Sequence, residues 1–309
     1  GGQVTAQAVP LDEHRWIEAF GGTQSYRQYR RAIREYYRQH FPLTEAARAA
    51  VHLNPGNGGV SRICHEPRVS LAVLEAMLAP YLSGGQLTVL LNHKPVAADV
   101  QGNVVRAVTV KSLLSGRELT LHAPYFLDAT ELGDLLPLTK TEYVTGFESK
   151  KQTGELHAPA EAQPLNMQAI TWCFAMEHRA GDDHTIDPPD DYKFWRDYVP
   201  QLDTPWPGKF LAWEQPHPHT LKTRIGSMDP EGKGLPPGAL DFWTYRRIID
   251  RRNFVPGSFA ADVTVVNWPM NDYFVGPIIE TSAAEIAKHL RGAKQLSLAW
   301  FYWLQTEAP

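Results

Sequence analysis

Residues 95–134 read PVAADVQGNVVRAVTVKSLLSGRELTLHAPYFLDATELGD, and this stretch decides the fold. Short apolar or alternating runs at 95–100, 104–111, 118–122 and 125–127 are parted by Gln101-Gly102-Asn103 and Ser115-Gly116. Runs of that length between turn dipeptides predict a β-meander. An apolar, β-branched run at 87–91 predicts one more strand ahead of it. Apolar residues at helical spacing predict a helix over 68–82, stopped by Gly84-Gly85. A helix between an early strand and a final one points to a βαβ sheet with an antiparallel excursion.

Working toward the amino terminus, 12–20 and 25–40 read as helices, and 44–51 as a short one opened by Pro42 and a Thr44 cap. The helix over 25–40 is rich in Tyr and Arg. It reads either as a phosphate or nucleic-acid binder or as a surface helix whose tyrosines pack inward. Beyond about residue 143 the chain becomes rich in Pro, Trp, His and Asp. Strands are expected at 168–177 and 263–268, helices at 192–198 and 242–253, and a capping box at Ser282 opening a last long helix. Trp300, Phe301, Tyr302 and Trp303 point to every side of that helix, so it demands burial all round. From this the natural sequence is expected to continue past both ends.

The chain has 309 residues, 43% hydrophobic and 21% charged, with net charge -4 and no basic tract. That composition fits one large or two ordinary globular domains and argues against a nucleic-acid partner. No window approaches the roughly 18 apolar residues that a membrane span needs. Cys64 and Cys173 are too few and too far apart for a disulfide framework, which points to a reducing, cytoplasmic compartment.

Three stretches together resemble a known family: Gly1-Gly2-Gln3-Val4-Thr5-Ala6-Gln7, the helix and meander over 68–127, and Asp128-Ala129-Thr130-Glu131-Leu132-Gly133-Asp134. They are similar to FAD-dependent oxidoreductases of the glutathione-reductase-like superfamily related to fumarate reductase flavoproteins. Tyr143-Val-Thr-Gly-Phe-Glu148 and Asp262-Val-Thr-Val-Val-Asn-Trp-Pro269 resemble the same family more weakly. The resemblance implies an α/β protein. Residues 1–142 would form a partial FAD/NAD(P)-binding, Rossmann-like domain with a β-meander, and 143–309 an α+β substrate or cap domain. It implies FAD as cofactor, a small-molecule substrate, and hydride transfer between the two. Cofactor-binding positions would be Gly1, Gly2, Gln3, Thr5, Gln7, Val96, Ala129, Thr130, Glu131 and Asp134. Glycines admit a pyrophosphate close to backbone N–H groups, and Ala129 sits at a strand's carboxyl end, where ligands lie in open α/β sheets.

The chain departs from the family in three ways. Glu131 stands where the superfamily usually has Gly. The glycine fingerprint and the final FAD-binding stretch are not among these residues, so weak FAD binding or none is expected of the chain alone. No cysteine pair follows the Gly-Gly loop, which speaks against dithiol chemistry. His14, beside Asp12 and Glu13, is the candidate proton carrier; the same three residues also read as a helix start. Arg62 is the candidate clamp for an anionic substrate or flavin charge, or else a surface ion pair. Cys64 reads as a buried small residue. His217-Pro-His219 lacks a third spaced ligand, so no metal is expected. Trp195, Trp206 and Trp213 suit an apolar or carbohydrate-like surface, or a core. Two rival readings stand beside the oxidoreductase: a non-catalytic remnant acting in interaction, and a hydrolase or lyase using the Asp12/Glu13 carboxylates.

Overall fold

A computed structural model describes residues 1–202 and 205–308. Helices α1 (Gln24–His40), α2 (Glu45–Ala49) and α3 (Pro67–Ser83) come first, followed by strands β1 (His93–Gln101), β2 (Val104–Ser112) and β3 (Glu118–His122). Short helices α4 (Leu135–Thr139) and α5 (Lys150–Thr153) lead to β4 (Ile170–Thr171), β5 (Phe174–Glu177) and α6 (Tyr192–Asp197). Then come β6 (Glu214–Pro216), β7 (Thr223–Ser227), β8 (Leu240–Asp241), α7 (Phe242–Tyr245), β9 (Arg247–Ile249), β10 (Val263–Val266), β11 (Asp272–Tyr273) and α8 (Ala283–Thr306).

The chain divides into two compact units, neither contiguous in sequence. The first comprises 1–80, 169–276 and 287–309; the second comprises 81–168 and 277–286. Two apolar clusters fill the first unit. One gathers Tyr29, Ile33 and Tyr37 of α1 with Val69 and Val73 of α3, Ile248, Phe254 and Val265. The inward-packing reading of the α1 tyrosines therefore holds. The other is aromatic, around Phe242, Trp268, Trp300 and Trp303. Each of the four successive aromatics of α8 meets a ring. Trp300 stacks on Trp303 at 4.9 Å, Phe301 meets Phe174 at 5.5 Å and Tyr302 meets Tyr192 at 4.6 Å. Trp195 and Trp213 are buried in the same cluster and Trp206 packs against it, so these tryptophans are core and not a ligand surface.

In the second unit the meander forms as its turn dipeptides dictate, in the order β1-β2-β3, all antiparallel. Gly85 closes α3. With φ at +69° it lets the Gln86 N–H reach the Tyr81 carbonyl at 2.9 Å and its own N–H reach Leu82 at 3.1 Å.

Several expectations fail for identifiable reasons. Among the described residues there is no parallel βαβ sheet; four small sheets form, and only β7–β8 is a parallel pair. Residues 87–91 and 125–127 form no strand, because no neighbouring strand supplies ladder bonds among the described residues. The expected strand at 168–177 breaks into β4 and β5, which join different sheets. Residues 12–20 form successive turns, since Asp12 and Glu13 are drawn to distant cations. The helix expected over 242–253 stops after Tyr245, because Ile248 and Ile249 enter the core beside β10. No helix among the described residues is long and apolar enough to cross a membrane.

Candidate functional site

In the first unit, Gly1–Gln7 fold as a run of turns. The Thr5 and Gln7 N–H groups donate to Gly2 O at 3.2 and 3.0 Å, and the Thr5 hydroxyl donates to Gly1 O at 2.8 Å. The N–H groups of Gly2, Gln3, Val4 and Ala6 find no acceptor among the described residues. Such a row of uncommitted donors suits an anionic phosphate.

The triplet that follows is split three ways by its partners. Glu13 is buried and fully engaged: Oε1 accepts from Arg30 and from the Tyr26 hydroxyl, and Oε2 accepts from Ser61 Oγ at 2.8 Å and Arg62 N at 3.1 Å. Asp12 is paired with Arg246 at 3.3 Å. Each carboxylate thus has its own cation. His14 is exposed and takes no hydrogen bond from either carboxylate; its Nδ1 accepts the Trp16 N–H at 3.2 Å, and its ring packs with Trp16 and Phe20. The Glu13–Arg62 bond nonetheless brings the segments carrying His14 and Arg62 side by side. The Arg62 guanidinium is exposed and forms no ion pair among the described residues, contrary to the surface-pair reading.

Arg246, which sequence reasoning passed over, is the hub behind these turns. Its buried guanidinium donates to Pro10 O at 3.0 Å and Asn267 O at 3.2 Å, besides holding Asp12. Around it stand Asp272, whose carboxylate accepts from the Thr171 hydroxyl, and Cys173, whose sulfur accepts from Asn267 Nδ2 at 3.2 Å. Burial raises the Asp272 carboxyl above its ordinary range, although the Thr171 hydrogen bond and the Arg246 charge pull the other way. Burial likewise raises the Cys173 thiol. Burial thus works against the charged form of Asp272, the direction a general acid needs. One signal for it was available: the family-like stretch at 262–269 carries Asn267 and ends just before Asp272.

The other previously named groups are structural. Burial pushes the Cys64 thiol up to about 12, so it is no nucleophile. Burial also lowers His65 to about 4; its ring bridges Ile63 O and Ser70 Oγ, and Ser70 continues to the Tyr29 hydroxyl at 2.6 Å. His217 Nδ1 accepts the His219 and Thr220 N–H groups, and no group of metal-ligating side chains occurs among the described residues.

In the second unit, Asp128 organises the turn after the meander. Its Oδ1 accepts from the Thr130 N–H at 2.9 Å and hydroxyl at 2.8 Å, and its Oδ2 accepts from Leu135 N at 2.9 Å. Those bonds, led by the Thr130 N–H, hold its carboxyl below the ordinary value. The Thr130 hydroxyl proton is thus committed to Asp128, and its oxygen accepts the Asp134 N–H, so donation to a ligand would break a bond. The N–H groups of Ala129, Glu131, Leu132 and Gly133 have no acceptor among the described residues, and the Asp134 carboxylate has no cation. Gly133, with φ at +68°, gives this row the curvature that Glu131 cannot supply. Val96 sits at a bulge in β1, unpaired between Pro95 and Ala97. The donor set of each unit, taken by itself, fits the phosphate and ribose oxygens of a dinucleotide.

A family model described as FAD dependent oxidoreductase matches residues 1–308. No curated protein and no solved structure matches the chain. The family's cofactor is FAD.

Proposed function

This chain belongs to the FAD dependent oxidoreductase family, and from that premise we propose that it serves hydride transfer between a small-molecule substrate and flavin. In this reading residues 1–142 supply the cofactor side and 143–309 the substrate side, a division by role that cuts across the two compact units. FAD supplies the redox centre when bound. The positions proposed to contact it are, in the first unit taken by itself, Gly1, Gly2, Gln3, Thr5 and Gln7, and in the second taken by itself, Val96, Ala129, Thr130, Glu131 and Asp134. His14, with its ring exposed, is the acid–base residue of this reading, and the exposed Arg62 guanidinium is its clamp for an anionic group. Asp272 joins them as a second proton carrier, held ready by burial against Thr171. The unpaired thiols Cys64 and Cys173 agree with a reducing, cytoplasmic setting.

The observation that carries the reading is the turn pinned by Asp128, which leaves four N–H groups of 129–133 without an acceptor among the described residues. Titration of the 309-residue chain with FAD, followed by flavin fluorescence, tests the proposal. Binding that Asp128→Ala weakens, by releasing the turn, supports it; binding unchanged in Asp128→Ala, or no binding at any concentration, overturns it.

A further inference from the structure

Helix α1 turns outward two guanidinium groups that the chain does not use. Arg27 and Arg31 are exposed, one helical turn apart, and neither side chain forms a hydrogen bond or ion pair among the described residues. Both line a groove of about 880 Å³ that α1 forms with the α2 region, ending at Val51 and His52. That volume lies in the range of small-ligand sites, roughly 300–1,000 Å³.

The groove's charge is one-sided. Six arginines line it against two glutamates, Glu18 and Glu35, in a chain whose net charge is -4. Glu13, outside the groove, answers Arg30 and leaves an excess of three positive charges. The walls are cross-bonded. Arg34 is locked by Glu18 and Leu53 O, and Arg38 donates to Ala50 O at 2.8 Å. Arg48 is tied to the carbonyls of Arg38 and Phe41. These hydrogen bonds to carbonyls fix the geometry of Arg38 and Arg48 without neutralising them. The fold meets the ordering cost of Arg34 and part of that of Arg38 and Arg48, and the ligand orders Arg27 and Arg31.

We propose that this groove binds a compact polyphosphate, the di- or triphosphate end of a small molecule, gripped by Arg27 and Arg31. Guanidinium forks match phosphate oxygens two at a time, and residues at i and i+4 stand ~6 Å apart at Cβ, within reach of one polyanion. A nucleic-acid strand is disfavoured. It would run beyond the groove onto a surface of opposite net charge, with no basic stripe to follow. The inference does not rest on the flavin reading.

Isothermal titration of the 309-residue chain with tripolyphosphate, at low salt and at physiological salt, tests it. The R27Q/R31Q double variant is expected to bind about tenfold or more weakly, because two charge-assisted forks are lost. The charge-matched R106Q/R117Q control, changed at two exposed arginines of the second unit, is expected to keep native affinity. Unchanged melting temperatures are expected for both variants, since none of these side chains has an internal partner. A native chain that ignores tripolyphosphate, an equal loss in both variants, or a melting temperature lowered in R27Q/R31Q would each overturn the proposal. So would tighter binding of single-stranded RNA than of tripolyphosphate. An FAD titration separates the two readings: FAD binding abolished by R27Q/R31Q would make the groove part of a flavin site and overturn a separate polyphosphate site.

Discussion

At the scale of single residues, Asp12, Glu13 and His14 are three adjacent titratable groups that the sequence presents as equivalent. Only their partners distinguish them. Glu13 is sealed against Arg30, with each side chain 3% exposed, so removing it leaves a buried guanidinium without its main counter-charge. Glu13→Ala is expected to cost about 3–5 kcal/mol in urea unfolding, whereas Asp12→Ala, on a half-open pair, is expected to cost about 1 kcal/mol or less. His65 yields a pH dependence. Its folded value near 4 lies below the ordinary 6.5, so the unfolded chain binds the proton more readily. The stability contribution is complete above pH 6.5 and is lost as pH falls toward 4, by about 3 kcal/mol. Stability profiles of the native chain and of His65→Gln over that window are expected to differ in slope, with the variant flatter. Parallel profiles would show that His65 does not titrate out of the core. Nothing in the order His-Glu-Arg at 65, 66 and 68 announces this, because the Tyr29 ring that packs against His65 and bonds its partner Ser70 is far away in sequence.

At the scale of elements, what could be read locally was read well. The meander is legible because each turn is written in the sequence at Gln101-Gly102-Asn103 and Ser115-Gly116. Helix α1 is legible from its periodicity, and the structure adds its Thr23 cap. The stretch at 242–253 was not, since its fate is set by Arg247 reaching Gly56 O at 2.8 Å and by Asp250 accepting from Asn57, Arg247 and Arg252. Burial alone would raise the Asp250 carboxyl, yet the bonds from Arg252 and Asn57 and the Arg247 charge outweigh it and bring it to about 2. The same clamp explains the glycine loop at 54–59. A Cβ on Gly56 would lie 2.0 Å from Arg247 O, so glycine is needed there for backbone contact within the chain. Gly56→Ala is expected to lower stability by about 2–3 kcal/mol through overpacking. Gly208→Ala, with open space and no left-handed φ, is expected to be neutral or stabilising by up to about 1 kcal/mol. Equal effects in a denaturant titration would mean that the loop does not bear on β9.

At the scale of the whole molecule, the burial is unevenly shared, and stability should be too. Both apolar clusters belong to the first unit. Within residues 81–168 of the second unit only Ala107, Val108 and Ser149 are buried, and every residue of β3 is exposed. Leu114, Tyr125 and Leu127 stand 82%, 82% and 85% exposed. Apolar area contributes about 25 cal/mol for each Å² removed from water, and these side chains remove little. The meander's backbone bonds therefore carry most of that unit, and a lone sheet with little buried area is marginal. Hydrogen exchange followed by mass spectrometry is expected to show β1–β3 opening at a lower free energy than β5, β10 and β9 or α8, with separate exchange steps. Thermal unfolding is then expected to show two transitions, the earlier one belonging to the meander. Uniform protection across β2 and β10, or a single cooperative melt, would mean that the second unit draws on stability beyond what its own burial provides.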